Sequence, residues 1–310
     1  MQKLIIREMA MIVDYVIPFV DCSDRNWIVE YKKNVHNKCD WSNNATRFRD
    51  WGILRYQLRS ICKYLPWINN IYILLSISKT QIPTWLNTTN SKIHIVYDWE
   101  FIPIEHLPVF NSNVIDLFIP NIKGLSEYYL YACDDYIITR SLKISDFFYD
   151  KGIFLKLEDH AFNHSVYTDT VMNSNNLING NAQIVHVKHG YIMPYCDHAL
   201  IPHIKSKNVE LLHKYNKEIK YSISTFRESK NLTWLIYPLY LNKRGLLKSG
   251  NVKTKYCELR TEADIQNLSF INCDTIVLND EYQDNYYYGR SLLGKKLEEI
   301  FPINCEYELI

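Results

Sequence analysis

The chain's 310 residues are 47% hydrophobic and 22% charged, enough for a sizeable buried core and incompatible with intrinsic disorder. Thirty-five Lys and Arg balance thirty-four Asp and Glu, for a formal net charge of +1. That excludes a global basic field for nucleic acid or an anionic membrane, so phosphate recognition must be local.

The N-terminal stretch Met9 to Val20 is apolar, but Asp14 interrupts it and no small-residue cleavage site follows, so it does not read as a targeting segment. No run reaches the roughly 18 apolar residues that span a bilayer. Eight cysteines, at 22, 39, 62, 133, 196, 257, 273 and 305, form no CxxC and no dense framework, which predicts reduced cytosolic thiols. His36 with Cys39, and Cys196 with His198, are isolated pairs of the kind that arises by chance, not a zinc site. The Asn44 to Thr46 triplet carries no weight in a cytosolic chain. The aromatic share is 14%, with 24 Tyr against 9 Gly, which suits faces that stack on sugars but equally fills ordinary cores.

In chain order, 12–20 is β-branched and aromatic and ends at Asp-Cys-Ser-Asp, a buried strand followed by a loop. Apolar positions at helical spacing over 48–64 predict a helix that Pro66 ends. Residues 71–76 and 93–97 read as strands, with a helical turn near Pro83 between them. A fourth strand, 128–133, runs straight into Asp134 and Asp135. Strands alternating with helices imply a parallel sheet whose ligands bind beyond the carboxyl ends of its strands. Asp21 and Asp24 after the first strand, and Asp134 and Asp135 after the fourth, then share one rim.

Beyond 150 the texture changes. Residues 173–181 (Asn-Ser-Asn-Asn-Leu-Ile-Asn-Gly-Asn) read as a polar, turn-rich stretch, 205–220 as a solvated helix, and 292–301 as a final amphipathic helix. A short strand at 275–278 leads into Asn279 and Asp280. With no linker in view, the expectation is one continuous domain: an α/β core over 1–150, an inserted lobe over 151–250 and a completing segment over 251–310.

Arg47, Arg49, Arg55 and Arg59 form the densest basic group. Near a helix N-terminus such guanidinium groups suit a diphosphate, though a solvated, ion-paired face has the same spacing. Adjacent Asp134 and Asp135 can divide labour between a divalent cation and a hydroxyl proton, yet such pairs also occur at ordinary turns. His189, followed by Gly190, can act as acid or base near neutrality or serve as a plain hydrogen-bonder. No GxxxxGK[ST], GxGxxG, GxSxG or HExxH occurs, which argues against a P-loop kinase, a nicotinamide dehydrogenase, an α/β-hydrolase and a zincin.

The blocks 15–24, 47–74, 81–86, 107–116 (Leu-Pro-Val-Phe-Asn-Ser-Asn-Val-Ile-Asp) and 124–138 resemble the conserved regions of the Stealth proteins. These capsular polysaccharide phosphotransferases are related to the lysosomal-enzyme GlcNAc-1-phosphotransferase. Thinner matches follow at 188–194, 225–228 (Thr-Phe-Arg-Glu), 277–280 and 301–308. Two departures stand out: Cys22 replaces a usual glycine, and Cys133 a usual asparagine before the acidic pair. The resemblance implies a Rossmann-like, GT-A-like nucleotide-sugar transferase fold with a mainly parallel sheet and an inserted lobe.

It also implies transfer of a sugar-1-phosphate from a UDP-sugar to a saccharide hydroxyl, with UMP released, on the cytoplasmic side with peripheral membrane association. Asp21 and Asp24 would then lie beside the nucleotide, and Arg47, Arg49, Arg55 and Arg59 would frame the diphosphate. Asn111 and Asn113 would contact the donor sugar. Asp134 and Asp135 would supply a metal ligand and the base, His189 and Arg227 would stabilise the phosphoryl group, and Asn279 and Asp280 would complete a Mg²⁺ or Mn²⁺ site. Two other readings use the same residues: a metal-dependent glycosyltransferase releasing UDP, and a non-catalytic polysaccharide-binding protein relying on its aromatics.

Overall fold

The computed structural model describes residues 11–35, 45–196 and 198–309. The His36–Cys39 pair and Asn44 lie outside the described residues. Strands β1 (Val13–Phe19), β2 (Ile71–Leu75), β3 (Ile93–Tyr97) and β4 (Tyr128–Tyr131) occupy the expected places. Their apolar runs show no alternation because the central strands are buried on both faces, as parallel sheets require. Helices α1 (Arg25–Asn34), α2 (Ile53–Tyr64), α3 (Asp98–Phe101) and α4 (Ser112–Phe118) lie between them in sequence.

Next come β5 (Tyr136–Ile138), β6 (Phe148–Tyr149), β7 (Gly152–Phe154), β8 (Glu158–Asn163), α5 (Val166–Asn179), β9 (Val185–Val187), β10 (Gly190–Tyr195) and β11 (Ile201–Ile204). The chain ends through α6 (Lys205–Lys214), α7 (Asn216–Ser222), α8 (Ile236–Lys243), β12 (Leu247–Lys248), β13 (Thr254–Leu259), α9 (Glu262–Gln266), β14 (Thr275–Asp280) and α10 (Tyr286–Ile300).

The main sheet has the order β11-β4-β1-β2-β3, parallel except for β11. A second sheet, β13-β14-β5, carries the chain on from the end of β4 and back again. Buried Asp14 in β1 accepts from Asn69 and the Asn70 and Ser126 amides, tying the lower ends of three strands together. Residues of the stretch expected as a lobe, among them Val171, Met193, Leu211 and Leu239, join the same apolar cluster as β1, and β11 is an edge strand of the main sheet.

Helix α2 serves both sheets. Leu54, Leu58 and Ile61 enter the main core, while Ile53 and Tyr56 pack with Ile276, Leu293 and Leu297 under the second sheet. Gly52 caps its N-terminus at φ 73°, a left-handed conformation that glycine adopts without steric cost.

The asparagine-rich stretch is a correction. Residues 173–179 are not a turn but the C-terminal half of α5. Local bonds that usually compete with a helix are here satisfied within it or across the fold. Ser174 Oγ donates to the Thr170 carbonyl, while Asn175 Nδ2 donates to the carbonyls of Val171 and Pro194.

Candidate active site

Strand β1 ends at Phe19 and delivers Asp21; β4 ends at Tyr131 and delivers Asp134 and Asp135. From there the chain continues into β5, and β14 returns antiparallel to it, so that the Leu278 amide donates to the Asp135 carbonyl at 3.0 Å. Asn279 and Asp280 thus come to the same rim, and the loop entering α2 adds Arg47, Arg49 and Asp50. Together with Asp134 and Asp135 these line a cavity of about 100 Å³.

The cavity is a crowd of carboxyls. Burial, then the like charges of Asp135 and Asp50, hold the Asp134 carboxyl well above its usual range, although the Val20 amide donates to it. Burial pushes Asp135 up to about 7. Asp50, also raised by burial, accepts from the Gly52 amide at 2.7 Å and from Arg290 at 2.9 Å.

Cations face these acids. Arg49 binds Asp280 through Nε at 2.8 Å and Nη2 at 2.6 Å, and lies over the Tyr286 ring. Arg47 is 3.6 Å from Glu281. Burial and the positive charge of Arg47 both weaken Arg227's hold on its proton, so the two guanidinium groups lie within each other's field. Arg227 donates to Ser112 Oγ at 2.8 Å, which fixes its direction. Two cations forced together beside half-buried acids suit an anion that carries its own cation.

Several expected residues serve otherwise. Arg55 and Arg59 are not at the cavity: both bind the buried Glu308 carboxylate, and Arg59 also reaches Glu298, Asn304 and the Phe301 carbonyl. The partner that diverts them lies about 250 residues downstream, beyond the reach of spacing arguments. Asn111 is fully buried, so it cannot touch a donor sugar. Its Nδ2 donates to the Ser224 and Phe226 carbonyls and Asn231 Oδ1, docking the loop that carries Arg227. Asn113 is likewise buried in the first turn of α4.

Asp24 caps α1 through the Trp27 amide and accepts from Thr80, while Asp21 accepts from Ser23. Asp280 lines the cavity with Asn279 and Asp134 and is bound by Arg49. His189 sits exposed on the turn between β9 and β10 and does not line the cavity. Among the described residues, no three His, Cys, Asp or Glu side chains gather as a ready-made metal cage.

Four residues escaped the sequence reading. Asp50 follows Arg47 and Arg49 within the 47–74 block, with no pattern of its own to mark it. Asp116, raised to about 7 by burial, accepts from Tyr131 at 2.6 Å and feels the charge of Arg227. Tyr167 lies in the field of Arg227, and Tyr256 in that of Asp135. Nothing in the pattern distinguished either tyrosine from the many that fill the core.

The model of Stealth protein CR2, conserved region 2, matches residues 47–156, the segment that supplies Arg47, Arg49, Asp50, Asp116, Asp134 and Asp135. An exopolysaccharide phosphotransferase, cps2G of Lactiplantibacillus plantarum, is 39% identical over 46% of this chain and 40% of its own length. The capsular polysaccharide phosphotransferase WcwK of Streptococcus pneumoniae is 27% identical over 96% of this chain and 98% of its own. Through that segment the chain is similar to the Stealth proteins.

Within that family pattern, Cys22 adopts no positive φ, so its loop accommodates a side chain without strain. Cys133 keeps its place through the backbone, where Gln57 Nε2 donates to its carbonyl at 3.0 Å. Among solved structures, the galactosyltransferase LgtC aligns over 91% of this chain and 95% of its own, at 12% identity and a TM-score of 0.38. At that distance neither its chemistry nor its substrates transfer.

Proposed function

We propose that this chain is a phosphotransferase of capsular or exopolysaccharide synthesis that moves a sugar-1-phosphate from a UDP-sugar to a saccharide hydroxyl, forming a phosphodiester and releasing UMP. One observation carries the reading. Arg47 lines the same cavity as Asp134 and Asp135, and Arg227 lies within the electrostatic field of Arg47. Such a site can bind a diphosphate and take a proton from an attacking hydroxyl.

Arg47 and Arg227 hold the diphosphate, Arg227 being aimed by Ser112. Asp135 accepts the proton of the acceptor hydroxyl. His189, arriving from the β9–β10 turn, stabilises the leaving phosphate, which requires that turn to approach the cavity when substrate binds. Asp21, Asp50 and Asn279 shape the donor end.

A divalent cation fits Asp134, whose carboxyl is crowded by Asp135 and Asp50. Mg²⁺ or Mn²⁺ would take one or two carboxylates here and complete its shell from substrate phosphates and water. Such an ion would neutralise charge on the diphosphate. No described helix is long and apolar enough to cross a membrane. Action at the cytoplasmic side, with peripheral membrane association, belongs to this same proposal.

The test is incubation with a panel of UDP-sugars, a saccharide acceptor and Mg²⁺ or Mn²⁺. UMP release and a phosphodiester signal in ³¹P NMR are expected. Release of UDP with no phosphodiester would make the chain a glycosyltransferase instead.

A further inference from the structure

The last residues of the chain are strapped across α2. Arg59 donates through Nη1 to the Phe301 carbonyl, through Nη2 to Asn304 and through Nε to Glu308 Oε1 at 2.7 Å. The Cys305 amide donates to that same carboxylate oxygen at 3.0 Å. On the other flank, Asn87 and Asn90 side chains donate to the Glu306 carbonyl, and the Asn87 amide to the Tyr307 carbonyl at 2.9 Å. The strap is held from both sides, with Cys305 against the helix.

Cys62 lies three residues beyond Arg59 on α2, on the face that Arg59 turns to the strap. Its sulfur accepts from the Glu306 amide and shares a hydrogen bond with the Cys305 thiol. The Cys305 sulfur accepts from the Tyr307 amide. Two successive amides of one turn thus hold two sulfurs side by side, although the cysteines stand about 240 residues apart in sequence. Both thiols are free, and neither is fully buried.

Burial is the largest influence on each: it holds Cys62 above the usual thiol range and pushes Cys305 up to about 12. Both are protonated at neutral pH, so attack by either sulfur is slow. That suits a cross-link laid down once better than a rapid sensor.

We propose that Cys62 and Cys305 form a disulfide when the folded chain meets a small-molecule disulfide such as oxidised glutathione. Cys62, favoured by the charge of Lys92, gives its proton to solvent and attacks one sulfur of the oxidant. One glutathione thiolate leaves and takes up a proton. Cys305 then loses its own proton, attacks the Cys62 sulfur of the mixed disulfide and expels the second glutathione. The protein gives up two electrons, and one glutathione disulfide becomes two thiols. Closing so long a loop takes conformational entropy from the unfolded chain, so the linked form is the more stable. The bond also keeps Glu308 seated against Arg55 and Arg59.

The experiment incubates the folded whole chain with oxidised or with reduced glutathione, alkylates the remaining thiols and maps the peptides by mass spectrometry. Oxidised glutathione is expected to yield one peptide pair joined through Cys62 and Cys305, lighter by two hydrogens. The linked chain should melt about 5 °C above the reduced one, and a reductant should reverse the rise. Cys62→Ser and Cys305→Ser should each lose both the link and the rise while melting like the reduced wild type. No link, a link to another cysteine, glutathione left on either sulfur as the end product, or a link without a rise in melting temperature would overturn the inference. These readouts need neither donor nor acceptor, so they stand or fall apart from the transferase reading.

Discussion

Arg49 grips both carboxylate oxygens of Asp280 across 231 residues of sequence, joining the loop that enters α2 to the end of β14. Both partners line the cavity. Arg49→Ala leaves a largely buried carboxylate without its fork and should cost about 3 kcal/mol in urea unfolding. Arg49→Lys should fall between, since an ammonium cannot make two parallel bonds. Unchanged melting of Arg49→Ala would show the fork to be idle.

Glu308 should give the fold an acid limb. Burial opposes its ionisation, but hydrogen bonds from Arg59 and Arg55 outweigh that and pull its carboxyl from 4.5 to about 2. A depressed acid contributes stability that is complete above its unfolded pKa and lost as pH falls through its folded one. Roughly 3 kcal/mol should therefore disappear between about pH 4.5 and 2. Glu308→Gln should flatten that part of the pH profile. Arg59→Ala should destabilise the chain without raising the donor KM of what remains folded, separating this arginine from the diphosphate.

Asn111→Ala tests the docking role of the Asn-Ser-Asn segment. Removing its Nδ2 leaves two buried carbonyls and Asn231 short of a donor, a loss on the order of 2 kcal/mol. Ser112→Ala should leave stability nearly intact and lower kcat instead, because it removes one of the bonds that orient Arg227. The reverse pattern would place Asn111 at the donor sugar after all.

Asp135→Asn, Arg227→Ala and His189→Ala should each lower UMP release on the order of 10²-fold or more. Unfolding midpoints run alongside show whether the fold survives. Wild-type turnover by His189→Ala would exclude the exposed imidazole from the reaction.

The parallel core was legible because its strands, buried on both faces, leave unbroken apolar runs that end abruptly in acids, as at Asp134. The asparagine-rich half of α5 was not, because its support comes from the carbonyls of Pro194, Ser229 and Asn231, which no local pattern reveals. Arg55 and Arg59 shared a helix face as expected, but the anion they meet is Glu308 rather than a substrate. Spacing placed the side chains correctly on their helix and gave no hint of what would fold against it.

Helix α2 lies under both sheets, with Leu58 in one core and Ile53 in the other. It therefore works as an axle carrying the β4 rim and the β14 rim together, coupling the two acidic banks through one helix. A closing stroke over a bound donor would fall to parts not mounted on that axle, such as the exposed hairpin that carries His189.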